Sequence, residues 1–103
     1  MNTVYNFLKS YIPVRNALKT REDGDFLIAS NHSSEIYYLN GMAREMWQTL
    51  DGSTSIEGLC SKILSEYEVD HCTLEKDIIE FIRDLQWKRL IRIKTGGEQH
   101  EGV

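Results

Sequence analysis

The pattern of apolar and polar positions changes its period from two to about 3.6 near Asn40. Before it, Val4, Phe7, Leu8, Tyr11 and Ile12 recur at helical spacing, which predicts a short amphipathic helix over Thr3–Ile12. Pro13, the single proline, is expected to end it, because its ring disfavours helix at the preceding residue. Val14–Arg21 alternates loosely and runs into Glu22-Asp23-Gly24, a hairpin signal. Phe26–Ala29 reads as a second strand, Ser30–Ser34 as a turn cluster, and Glu35–Leu39 as a third strand rich in β-branched and aromatic residues. Three short strands with tight turns predict an antiparallel meander.

After Asn40 the period becomes helical. Asn40 is a suitable N-cap, and Met42, Ala43, Met46, Trp47 and Leu50 form one face that Asp51-Gly52 should stop. Thr54-Ser55-Ile56-Glu57 fits the capping-box pattern with Thr54 as the cap, ahead of the stripe Ile56, Leu59, Cys60, Ile63, Leu64 and Tyr67. Thr73 is expected to cap a last helix whose core face is Leu74, Ile78, Phe81, Ile82 and Leu85. Leu90–Ile93 suggests a brief terminal strand, and residues 95–103 a flexible tail. The order of elements defines an α+β domain of winged helix-turn-helix proportions, three strands followed by three helices, with an extra N-terminal helix. The expected division is an extension over 1–13, a binding domain over 14–94 and the tail.

Composition narrows the function classes. The chain has 103 residues, 41% hydrophobic and 27% charged, which suits one globular domain and leaves little room for a cleft with a catalytic shell. Its net charge of −4 is unfavourable for nucleic-acid binding. The last helix carries Glu75, Asp77, Glu80 and Asp84 against Lys76, Arg83, Lys88 and Arg89, so it lacks the basic excess of a recognition helix. No apolar run reaches the roughly 20 residues of a membrane span, and the N-terminus lacks the features of a signal peptide. Two cysteines make no disulfide framework, and a cytoplasmic protein with reduced thiols is expected. Asn31-His32-Ser33 matches a glycosylation sequon but reads as a turn in that setting.

Catalytic and metal chemistry find no support. His32, His71 and His100 have no ligand-like spacing, and His71-Cys72 reads as a solvated loop histidine beside a partly buried cysteine. No phosphate-cradling glycine loop or nucleophile elbow is present in the sequence. The chain is expected to be neither an enzyme nor a cofactor or metal carrier.

What stands out is a surplus of apolar residues. With Leu74 as the zero of a helical wheel, the core stripe of the last helix spans about −20° to about +80°. Ile79 falls at about 140°, Arg83 at about 180°, Lys76 at about 200° and Trp87 at about 220°, a second stripe away from that core. In the third strand, Glu35 and Tyr37 share the side of Leu39, while Ile36 and Tyr38 point the other way. As an edge, this strand offers free backbone groups to an extended peptide, with Ile36, Tyr38 and the last helix forming pockets. The competing arrangement packs Ile36 and Tyr38 beneath the N-terminal helix.

Tyr38-Leu39-Asn40, Ala43, Met46-Trp47, Leu50-Asp51-Gly52 and Thr54 resemble the Y-x-L-N-x-x-A-x-x-I-W-x-L-L-D-G-x-T stretch of PqqD-like proteins, with the tyrosine displaced by one place. Leu59, Ile63, Tyr67, Val69, Asp77, Phe81, Leu85 and Leu90-Ile91 continue the pattern, so the resemblance covers roughly Val14 to Ile93. It implies the winged helix-turn-helix fold called the RiPP recognition element. It also implies a non-catalytic chaperone that binds a precursor's leader peptide and presents it to a modifying enzyme, such as a radical SAM maturase or a leader-peptide protease. In that family the leader adds a strand to the third β-strand and lies against the third helix, which makes Glu35, Ile36, Tyr37, Tyr38, Lys76, Ile79, Arg83 and Trp87 the expected peptide-binding residues. Three departures accompany the resemblance: Arg89 where many members have glycine, the extra N-terminal helix, and a choice between Tyr37 and Tyr38 for the family's tyrosine. The precursor and its pathway (PQQ, lasso or another) stay open, as does monomer against homodimer. The alternative reading is a small winged-helix regulator that binds DNA or a protein partner.

Overall fold

A computed structural model describes residues 3–95. The expected tail, apart from Thr95, lies outside the described residues. The elements in order are α1 (Thr3–Leu8), β1 (Ile12–Arg15), β2 (Lys19–Asp23), β3 (Phe26–Ser30), β4 (Ile36–Asn40), α2 (Gly41–Thr49), α3 (Ile56–Glu66), α4 (His71–Trp87) and β5 (Ile91–Lys94).

The meander forms as expected: β2-β3-β4 is antiparallel, and β3 is its middle strand. Gly24 takes φ 64 in the two-residue turn between β2 and β3, a conformation that costs glycine little. The expected first strand, however, is two strands. Ile12–Arg15 pairs with the terminal strand Ile91–Lys94 in a separate sheet, and Lys19–Asp23 joins the meander. Between them Asn16 N–H donates to the Leu90 carbonyl at 2.8 Å, which tethers the crossing chain to the end of α4. Pro13 does not end α1, which stops at Leu8. It lies in β1 opposite Ile93, where a strand paired on one side tolerates a residue with no N–H.

The core comprises the helices and the inner face of the meander. Trp47, Leu50, Ile56, Leu59, Ile63, Ile78, Ile82, Leu85 and Leu90 are all at or below 2% exposure. Leu27, Ala29 and Leu39 add the sheet's side. The N-terminal helix packs on α4 and buries Tyr5, whose hydroxyl shares a hydrogen bond with the Cys60 thiol of α3. Burial pushes both groups above their ordinary pKa, so neither ionises at neutral pH. Ile36 and Tyr38 are therefore not under this helix; they are 60% and 63% exposed.

Two of the three expected caps are displaced, and the third makes no side-chain bond. Asn40 precedes α2, but its side chain makes no capping bond. Ser55, not Thr54, caps α3 by accepting from Gly58 N–H at 3.0 Å. The carbonyls of Tyr11 and Lys9 take the N–H groups of Ile56 and Glu57, both at 2.9 Å, so the segment after α1 completes the α3 terminus. Thr54 instead donates its N–H to Asp51. Asp70 caps α4 and accepts from the Thr73 N–H at 2.9 Å. The helix starts one turn earlier than expected, so His71 and Cys72 lie in its first turn, with Cys72 exposed rather than partly buried.

Candidate peptide-binding groove

The meander has two free edges, β2 and β4. Their sequences differ in kind. β2 reads Lys-Thr-Arg-Glu-Asp, exposed throughout, and four charges in five residues disfavour pairing with another strand. β4 reads Ile-Tyr-Tyr-Leu-Asn and carries no charge. It is the unguarded edge, and its position beside the end of α4 makes it the candidate site.

Alternation along β4 divides the expected residues between two faces. Tyr37 is half-buried on the side of Leu39 and, with Glu35, Gln86, Trp87 and Arg89, lines a groove of about 360 Å³. Ile36 and Tyr38 lie on the opposite face. There, with Ile28, Lys19 and Arg21, they border a smaller depression of about 160 Å³, and Phe26 packs edge-on against Tyr38. The tyrosine facing the groove is thus Tyr37. Ile36 and Tyr38 adjoin the edge but not the groove.

On α4 the expected stripe is also divided. Trp87 is 85% exposed and forms the groove's wall. Lys76 and Arg83 are exposed on the same side of the helix and do not line the groove itself. Ile79 is a correction: it is 5% exposed and belongs to the core. α4 packs against α1, α3 and β5 at once, so its buried arc reaches beyond the stripe expected of a helix with one buried face.

The groove floor is tied together through Asn31, which the sequence pattern marks only as a turn residue. Asn31 is fully buried. Its Nδ2 donates to Glu35 Oε1 at 2.7 Å and to the Lys88 carbonyl at 2.8 Å, while its Oδ1 accepts from the backbone N–H groups of Ser33 and Glu35. The turn signal at Ser30–Ser34 was visible, but the long-range bond to Lys88 was not. Glu35 Oε1 also accepts from Tyr37 Oη and Arg89 Nη2, both at 3.3 Å. The Asn31 amide, then the Arg89 guanidinium and the Tyr37 hydroxyl, hold Glu35 below the usual carboxylate range despite some desolvation. Lys88 pairs with Asp84 at 2.8 Å and lies 5.0 Å from the Tyr37 ring centroid. Among the described residues no group of three His, Cys, Asp or Glu side chains suits a metal ion. No described helix is long and apolar enough to cross a membrane.

Uncharged edge strand, aromatic wall and latched floor define a winged helix-turn-helix-like module with an open strand edge. The model of the family "Coenzyme PQQ synthesis protein D (PqqD)" matches residues 26–91, and this chain belongs to that family. A PqqA binding protein of Xanthomonas oryzae pv. oryzae (strain PXO99A) is 33% identical over 55 residues, 53% of this chain and 60% of that protein. Its counterpart in strain MAFF 311018 matches to the same extent. The chain thus spans about 60% of the length of the curated relatives it matches. Among solved structures, TbiB1 in complex with the TbiA(beta) leader peptide superposes with a TM-score of 0.69. At 24% identity, over 77% of this chain and 93% of that one, it shows a shared fold.

Proposed function

We propose that this protein binds the leader of a ribosomally made precursor peptide by adding it as a strand to the free edge of β4, and presents it to a modifying enzyme. The observation that carries the reading is the juxtaposition of an uncharged, unpaired strand edge with the exposed Trp87 across one groove. Backbone hydrogen bonds along β4 supply affinity, and the groove between Tyr37 and Trp87 selects side chains on one face of the peptide. Membership of the PqqD family and the printed descriptions of the relatives, one a PqqA binder and one solved with a leader peptide, support this reading. Lys76 and Arg83 extend the wall along α4, whereas Ile36 and Tyr38 flank the edge from the outer face. The chain acts by binding, and the bond-making belongs to its partner enzyme. Free thiols at Cys60 and Cys72 support a reducing, cytoplasmic setting.

Tryptophan fluorescence tests this, because Trp47 is 2% exposed and Trp87 85%. Titration with the leader encoded by a neighbouring precursor gene should give a saturable blue shift that Trp87→Phe abolishes while Trp47 emission stays constant. A flat titration with the leader, in the folded protein, would overturn the reading.

A further inference from the structure

Arg89 occupies a position that the backbone would give to glycine. Helix α4 ends in a Schellman motif: Leu90 N–H donates to the Leu85 carbonyl and Arg89 N–H to the Gln86 carbonyl, both at 3.0 Å. Arg89 is the left-handed residue of that motif, with φ 58. A strained conformation held by a non-glycine residue at the rim of a groove calls for a role for its side chain.

That side chain is placed in the groove but only lightly engaged. Its contacts to Ser33 Oγ and Glu35 Oε1 are both 3.3 Å and both come from Nη2. Among the described residues no acceptor engages Nη1 or Nε, so the planar fork that suits a carboxylate is largely open. Glu35 has two donors besides Arg89, since Asn31 Nδ2 at 2.7 Å and Tyr37 Oη also donate to the same oxygen.

The adjoining helix α4 carries four acids, Glu75, Asp77, Glu80 and Asp84, and two bases, Lys76 and Arg83. Gln86 and Trp87, which line the groove, bound an arc of α4 from about 120° to about 220° on the wheel. The exposed Arg83 and Lys76 fall in that arc, with Ile79 buried within it and Glu75 and Glu80 at its margins, at about 100° and about 240°. Arg83 and Lys76 make no ion pair among the described residues. The two cations of α4 thus lie on the groove's side of a helix whose acids outnumber them.

We infer that Arg89 forms a carboxylate-binding subsite, so that a peptide on the β4 edge directs an Asp or Glu side chain at the end of α4. This rests on the peptide-binding reading above and adds the chemistry of one residue of the ligand. It also accounts for an arginine at a glycine position.

The test is fluorescence anisotropy with a fluorescein-labelled synthetic leader from the neighbouring precursor gene and with versions in which each Asp or Glu is changed to Asn or Gln. Arg89→Gly should relieve the backbone and leave the melting temperature equal or higher, while weakening the leader about tenfold, the scale of one charge-assisted pair. One neutralised leader position should lose the same factor against the wild type and nothing further against Arg89→Gly. Binding that responds to neither change, a leader without acids, or losses that simply multiply would overturn the subsite and leave strand addition standing; the last result would make Arg89 a strut to Ser33 and Glu35. A leader that fails to bind the wild-type chain at all would instead reject the peptide-binding reading itself.

Discussion

The side-chain amide of Asn31 donates to the main-chain carbonyl of Lys88 at 2.8 Å across 57 residues of sequence, and so fixes the entry of β4 against the exit of α4. The gap between these two elements is the groove. Removing the amide strands the half-buried Lys88 carbonyl and two N–H donors, those of Ser33 and Glu35. Asn31→Ala should therefore cost about 3 kcal/mol in urea unfolding, a large effect for a loop residue. Asn31→Asp, which keeps the acceptor but loses the donor, should remain destabilising while preserving the Ser33 and Glu35 bonds.

Trp87 and Trp47 should behave oppositely. Trp87→Ala removes an 85% exposed side chain, and the melting curve should shift by no more than about 0.5 kcal/mol in stability. Leader affinity should fall by about tenfold, as for an aromatic anchor. Trp47→Ala should cost about 3–5 kcal/mol.

Ile79 separates core from wall on one helix. Its near-complete burial predicts a loss of about 2–4 kcal/mol for Ile79→Ala in chemical denaturation. The Kd for leader, measured where the variant is fully folded, should stay within about twofold of the parent.

Acid should loosen the turns and caps. The Ser53 N–H, aided chiefly by Thr54, lowers Asp51 to about 2, and the Thr73 N–H lowers Asp70. A carboxyl depressed in the fold contributes stability that is fully present above its unfolded pKa of about 4 and lost as pH falls through the folded value. Melting temperature should hold between pH 7 and 5, then drop from about pH 4 towards 2. Asp51→Ala should show a shallower drop, measured by circular dichroism.

The sequence pattern reached some of this and missed the rest for physical reasons. Strand alternation alone separated Tyr37 and Leu39 from Ile36 and Tyr38, because a pleat leaves no other choice once one face is buried. The helical stripes of α3 and α4 were equally visible. Val14–Arg21 did not betray its break, since the chain changes sheets at Asn16 through a bond to Leu90 far away in sequence. Thr54 and Thr73 were sound caps by chemistry, yet Ser55 takes the Gly58 N–H and Asp70 the Thr73 N–H, which moves the two helix starts by one and three residues. Ile79 was misplaced because a wheel shows the period of one helix and not how many neighbours enclose it. Asn31, Gln86 and Arg89 join the groove through tertiary geometry; Asn31 was legible only as a turn residue and Arg89 only as an arginine at a glycine position.

Strand addition at β4 is the central claim, and backbone amide exchange with and without saturating leader reads it most directly. The account predicts that alternate amides within Ile36–Asn40 become protected on binding, while those of Lys19–Asp23 on the opposite edge exchange unchanged. Protection confined to β2, or no change along β4 with the peptide bound, would contradict it.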